Sequence, residues 1–127
     1  MRSFVAYTIK SYEEDGVMTI GLGDHPENPP NFIIITRLDD EDNATVDDGI
    51  GLLTDEAKYE RYNAIEKISY HCDGLEVVVR PEYAEFFGAR TLVAKFFQDG
   101  DYTLDQNFAL KDALRAMFCG SHVELSL

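Results

Sequence analysis

Ile65-Glu66-Lys67-Ile68-Ser69-Tyr70-His71-Cys72 and Leu75-Glu76-Val77-Val78-Val79-Arg80 are two extended runs on either side of Asp73-Gly74. Their Ile and Val side chains are stiff at the first torsion and pack well on a pleated surface. Asp-Gly suits the positive φ angles of a two-residue hairpin turn. The segment predicts an antiparallel hairpin, and with it a domain built on sheet.

Reading toward the C-terminus, Pro81 opens a short helix over 81–87, because proline fits the first helical turn, and Gly88 closes it. Arg90 to Phe97 is extended again, and Asp99-Gly100-Asp101 is a turn. Leu104 to Phe118 reads as a helix: Thr103 and Gln106 have the spacing of a capping box, and Leu110, Ala113, Leu114, Met117 and Phe118 form one apolar stripe. Gly120 ends it and leaves 119–127 as a tail.

Reading toward the N-terminus, Ile50–Leu53 and Lys58–Tyr62 are short strands around Thr54-Asp55-Glu56, although Asp55–Tyr62 also fits a helical turn. The run Phe32–Thr36 predicts a strand buried on both faces at the centre of a sheet. Pro26, Pro29 and Pro30 exclude regular structure just before it. Phe4–Lys10 predicts one strand, with Phe4, Ala6 and Thr8 on one side and Val5, Tyr7 and Ile9 on the other. It pairs with Val17–Leu22 across the turn Glu13-Glu14-Asp15-Gly16. The fold class is therefore α+β: a mainly antiparallel sheet domain of six to eight strands, with a C-terminal helix packed on one face. A chain of 127 residues fits a single domain, its core over about 4–118.

Charge is the second strong signal. Between Glu13 and Glu56 there are thirteen acidic residues against one base, Arg37, a net of −12 out of the −13 carried by the whole chain. Asp39, Asp40, Glu41, Asp42, Asp47 and Asp48 form the centre, and Glu13, Glu14 and Asp15 a second patch. Such a surface repels nucleic acid and anionic lipid, whose binders must supply cations, and it attracts and steers basic proteins. Solubility alone is the bland account of the same charge. The nine acids are the candidate contacts for a partner with a basic surface.

Chemistry is thinly represented. His71 and Cys72 are adjacent, so on a strand they point to opposite faces and cannot act as a nucleophile and its base. His25 lies in the Pro-rich loop and His122 in the tail. No zinc spacing, nucleophile elbow or phosphate-binding glycine loop is present. Asp40-Glu41-Asp42-Asn43-Ala44 lacks the glycine and the terminal glutamate of an EF-hand loop. No catalytic residue, metal or cofactor is expected. Cys72 and Cys119 lie far apart, and Met1-Arg2-Ser3-Phe4 opens no export signal, so two reduced thiols in a cytoplasmic protein are expected. No apolar run approaches the length of a membrane span. Phe86, Phe87, Phe96, Phe97, Phe108 and Phe118 are expected in the core, while Tyr12, Tyr59, Tyr62 and Tyr102 lie near turns, where exposed tyrosines beside acidic loops suit protein binding.

The order of segments resembles the tenth immunity-protein family of bacterial polymorphic toxin systems. The residues that carry the likeness are Phe4-Val5-Ala6, Thr19-Ile20-Gly21-Leu22, Phe32-Ile33-Ile34-Ile35-Thr36-Arg37 and Tyr62-Asn63-Ala64-Ile65-Glu66-Lys67-Ile68. They continue through Leu75-Glu76-Val77-Val78-Val79, Ala84-Glu85-Phe86-Phe87-Gly88 and Leu110 to Phe118, so the likeness spans 4–118. The connection after the third strand is longer and more acidic here than in that family. The resemblance implies a non-enzymatic protein that occupies a cognate toxin domain, a nuclease being one such class, through one-to-one occlusion. Two other readings stay open: a small carboxylate-dependent hydrolase or ligand-binding β domain, and a scaffold that forms homo-oligomers through a sheet edge.

Overall fold

The computed structural model describes residues 1–97 and 104–127, the side chains from 109 onward in the latter. Among the described residues ten strands form two five-stranded sheets. The first runs in the order β2 (Thr8–Glu14), β3 (Val17–Gly23), β4 (Phe32–Leu38), β5 (Ile50–Thr54) and β6 (Arg61–Tyr62), antiparallel throughout. The second runs in the order β1 (Arg2–Ala6), β9 (Thr91–Phe96), β8 (Gly74–Val79), β7 (Ile65–His71) and β10 (Glu124–Ser126). Its central ladders are antiparallel, while β1 and β10 pair in parallel at the two edges. The helix α1 (Leu104–Met117) packs against β2 and β3. The α+β class stands, with more strands than the six to eight expected.

One hydrophobic cluster joins both sheets and the helix. Ile20, Leu22, Ile33, Ile35 and Leu52 enter it from the first sheet, Ile68, Leu75, Val77 and Ala94 from the second, and Leu110, Leu114, Met117 and Phe118 from α1. The helical stripe is thus the buried one, as its 3.6-residue period requires. Phe87 and Phe96 are buried as well, and Phe86 packs against the cluster.

Four sequence expectations are corrected. Phe4–Lys10 is two strands in different sheets, divided at Tyr7, whose amide donates to the Gly23 carbonyl at 2.9 Å while Phe97 N donates to Ala6 O at 3.1 Å. The corner rephases the alternation: Phe4 and Ala6 face the core in β1, then Ile9 rather than Thr8 does so in β2. The hairpin at 65–79 turns on Cys72-Asp73, because His71 pairs with Gly74. Gly74 serves packing there: a Cβ on it would sit 2.9 Å from the Ala94 carbonyl oxygen of β9. The helix expected over 81–87 is a 3-10 turn at Pro81–Tyr83 followed by further turns to Gly88. The tail contains β10, which lays Leu125 beside Ile68.

Phe32–Thr36 does lie in the central strand of its sheet, but only Ile33 and Ile35 are fully buried; Phe32, Ile34 and Thr36 face outward and are half-buried. The hairpin of β2 and β3 turns on Asp15-Gly16, both with positive φ, while Glu13 and Glu14, expected in the turn, belong to β2. The turn Asp99-Gly100-Asp101, the Thr103 cap and the surroundings of Tyr102 and Phe108 lie outside the described residues.

Candidate functional site

Residues directly opposite one another in a ladder share a face of the sheet. In the first sheet the register therefore places Tyr12, Thr19, Thr36, Gly51 and Tyr62 in one row across all five strands. The neighbouring row is Glu14, Val17 and Leu38. Both rows lie on the outer face, since Ile20, Ile35 and Leu52 of the alternate row are buried. Tyr12 is 52% exposed, Tyr62 49% and Leu38 43%, so this face carries large side chains in solvent.

Two glycines shape it. A Cβ on Gly51 would overlap the Glu60 side chain, which lies across the sheet in the space a larger residue would fill. Glu60 is fixed there by the Thr36 hydroxyl and by the Tyr62 phenol, which donates to its Oε2 at 2.9 Å. That bond to Glu60, with burial and the neighbouring negative charge added, holds the Tyr62 phenol above its usual value. A Cβ on Gly49 would overlap the Leu38 carbonyl oxygen, so the chain returning from the acidic loop passes hard against the end of β4. Between these positions runs an open groove of about 480 Å3, bounded by Val17, Leu38 and Tyr62 and by Asp40, Asp48 and Glu60. A second groove of about 200 Å3 lies farther along the same face, beside Tyr12, Ile34 and the Pro-rich loop.

The structure separates the nine acidic candidates into different roles. Glu13, Glu14 and Asp15 are exposed at the β2–β3 turn. Register brings Glu14 opposite Val17 and Val17 opposite Leu38, so this patch and the start of the acidic loop meet at one end of the sheet. Asp40, Glu41 and Asp42 are exposed, the Asp40 carboxylate accepting the Asp42 amide at 3.0 Å. Asp39 is exposed but pairs with Arg37 Nε at 3.0 Å. Asp48 closes a capping box with Thr45 on the 3-10 turn Val46–Gly49.

Asp47 is the exception and is corrected: at 4% exposure it is an interior anchor, not a surface contact. Its carboxylate accepts the Ser121 hydroxyl, the His122 amide at 3.2 Å and the His122 Nδ1 at 3.0 Å. Burial works to raise its pKa, but these donors outweigh burial and hold it below the ordinary value. Asp47 thereby ties the acidic segment to the chain that leads into β10.

Of the three bases in this sheet, Lys10 lies on the outer face opposite Gly21, beside the second groove, while the other two turn inward. Arg37 is buried under α1, and Arg61 sits opposite Leu52 on the inner side, its guanidinium over the rings of Tyr59 and Phe86 at 4.7 and 4.6 Å. Sequence reading found the acids but missed Val17, Thr36, Leu38 and Glu60 as members of the face. Its one usable signal was the pair of glycines around Ile50, an odd choice inside a strand unless something lies close by.

The remaining chemical candidates are scattered. His25 is engaged within its own loop, its Nδ1 accepting the Glu27 amide at 3.1 Å. His71 lies 3.8 Å from Glu76 on the other sheet. Cys72 and Cys119 are both free and exposed. Among the described residues no three His, Cys, Asp or Glu side chains group as metal ligands, and no helix is long and apolar enough to cross a membrane. No protein-family model matches the chain, and no curated protein matches it either.

Proposed function

We propose that this chain is an immunity protein, a non-enzymatic inhibitor that binds a cognate bacterial toxin domain with a basic surface and occludes it one to one. The observation that carries the proposal is the meeting of Glu13–Asp15 with Asp39–Asp42 at one end of an open sheet face that exposes Tyr12, Leu38 and Tyr62. A nuclease must offer cations to phosphate, so a surface of this sign reaches the same region and is steered to it. The exposed aromatic and aliphatic groups supply the anchors that charge alone lacks.

Size shapes the reading further. Five strands at about 4.8 Å spacing give a face roughly 20 Å across. Its strands are at most seven residues long, about 23 Å, so its area is under about 500 Å2, short of the roughly 800 Å2 a standard interface buries on each partner. The acidic loop then belongs to the interface as well as the sheet. Packed side chains fill the space between the two sheets, and the grooves open on their outsides, those of about 480 and 200 Å3 on the first and one of about 300 Å3 on the second, which supports recognition of a surface.

The test is a titration against the toxin domain encoded beside this gene, at low and at physiological salt, together with rescue of cells that express that domain. One-to-one binding that weakens with salt, with rescue, is the expected result. Absence of binding at both salts removes the proposal.

A further inference from the structure

We infer that the groove between the acidic loop and the outer face of the first sheet receives a long cationic side chain, arginine or lysine, presented by the partner protein. The inference rests on the binding role proposed above and adds to it the place of contact and the residue type that fills it.

The groove is a property of the sheet face before it is a property of the charge. Its walls are Val17, Leu38 and Tyr62, and its volume of about 480 Å3 falls within the roughly 300–1,000 Å3 of ligand clefts. Leu38 and Tyr62 stand in solvent in the free protein, so covering them is favourable by the area removed from water. A purely apolar occupant would nevertheless bury the carboxylates of Asp40, Asp48 and Glu60 without a counter-charge, which is costly. An anionic occupant would be repelled.

A lysine or arginine satisfies both halves of the groove, laying its methylene stem along the apolar walls and its charged end among the carboxylates. Arginine fits better, because a planar guanidinium offers a fork of donors to carboxylates and stacks on a tyrosine ring. Glu60 is already oriented by Thr36 and Tyr62, so little ordering remains for the groove itself. Arg37 and Arg61 both point to the inner side of the sheet, and Lys10 on the outer face lines the second groove rather than this one, so the cationic position is left to the partner.

The direct test is an amide NMR titration of the whole protein with a blocked Gly-Arg-Gly tripeptide and with its citrulline counterpart, which keeps the shape and loses the charge. Shifts confined to Val17, Leu38, Asn43, Gly49 and Tyr62 are expected, with citrulline weaker by about fivefold or more. Asp40→Lys should weaken the arginine peptide about tenfold, while Glu82→Lys, the same change of charge on an exposed turn elsewhere, should alter it less than about twofold. Equal effects of arginine and citrulline, or shifts that follow the acids and spare Leu38 and Tyr62, overturn the inference.

The toxin domain provides the second arm. If it binds wild type and the Asp40→Lys variant equally, the groove is not the contact, although the immunity reading stands. If it binds neither while the arginine peptide still enters the groove, the immunity reading fails and the cation-binding groove remains.

Discussion

Arg37 Nη1 lies 2.7 Å from the carbonyl oxygen of Cys119, and the same nitrogen donates to the carbonyls of Ala116 and Met117, each at 3.1 Å. The last carbonyls of a helix have no partners within it, and they form the negative end of its dipole. A buried cation from β4 reaches two of them, on Ala116 and Met117, together with the Cys119 carbonyl in the turn just beyond. The lone base of the acidic segment is thus committed to docking α1 on the first sheet, and of the exposed acids it pairs with Asp39 alone.

Removing that cation should be costly. Arg37→Ala leaves buried carbonyls without donors and is expected to lower the unfolding free energy by about 3 kcal/mol, whereas Arg115→Ala, which loses an exposed pair with Asp112, should cost about 0.5 kcal/mol or less. Urea unfolding of the two variants beside wild type gives the comparison. Equal losses would mean that Arg37 does not hold the helix end.

Asp47 should impose an acid limit on stability. Its folded pKa lies below the ordinary 3.8. The stabilisation it gives is therefore complete above that value and is lost as pH falls through the lower folded one. Unfolding followed from pH 6 downward should show wild type losing its advantage over Asp47→Asn below about pH 4. Asp24 is the comparison: the Asn31 side-chain amide, 2.7 Å away, is the largest of the influences that lower its pKa. Asp24→Asn should likewise flatten the acid dependence, but without loosening β10. Hydrogen exchange at Leu125 separates the two, rising in Asp47→Asn alone.

The glycines of β5 and the preceding turn should differ in tolerance. An alanine Cβ at Gly49 meets the Leu38 carbonyl, part of a paired strand that cannot step aside, whereas one at Gly51 meets the end of the Glu60 side chain. Gly49→Ala should destabilise by about 2–3 kcal/mol and Gly51→Ala by about 1 kcal/mol. Gly51→Ala should also release the Tyr62 phenol from Glu60 and return its titration toward the usual 10. A thermal melt and a phenol titration test the pair.

Association should separate acids that face solvent from the one that does not. Neutralising Asp40, Glu41 and Asp42 together is expected to slow binding of the toxin domain about tenfold at low salt and far less at high salt. Asp47→Asn should leave the association rate unchanged at neutral pH and lower only stability. Stopped-flow mixing at two ionic strengths measures both, and an unaltered rate in the triple variant would exclude the loop from steering.

Much of the fold was legible because local pattern and final environment agree. Leu110, Leu114, Met117 and Phe118 recur at helical spacing and are buried; the apolar run Phe32–Thr36 does form the central strand of its sheet, although only its Ile33 and Ile35 are buried rather than both faces. Agreement failed where one residue changes sheet or phase. Nothing in Phe4–Lys10 marks Tyr7 as a corner, because both halves have strand propensity and only pairing with Gly23 and Phe97 divides them. β10 was unreadable for a related reason: three residues are too few for a pattern, and what makes them a strand is the waiting edge of β7.

The sequence by itself determined the strand-forming runs, the C-terminal helix and its buried stripe, and the large negative charge of 13–56, because each depends on side chains that are near one another along the chain. Only the tertiary structure decided which acids form a surface. Asp47 and Asp48 are neighbours in sequence, yet one is buried against Ser121 and His122 while the other borders the groove. Glu14 and Leu38 are far apart in sequence and meet through Val17. Strand register makes those assignments, and register is set by the pairing of distant segments, which no local pattern contains.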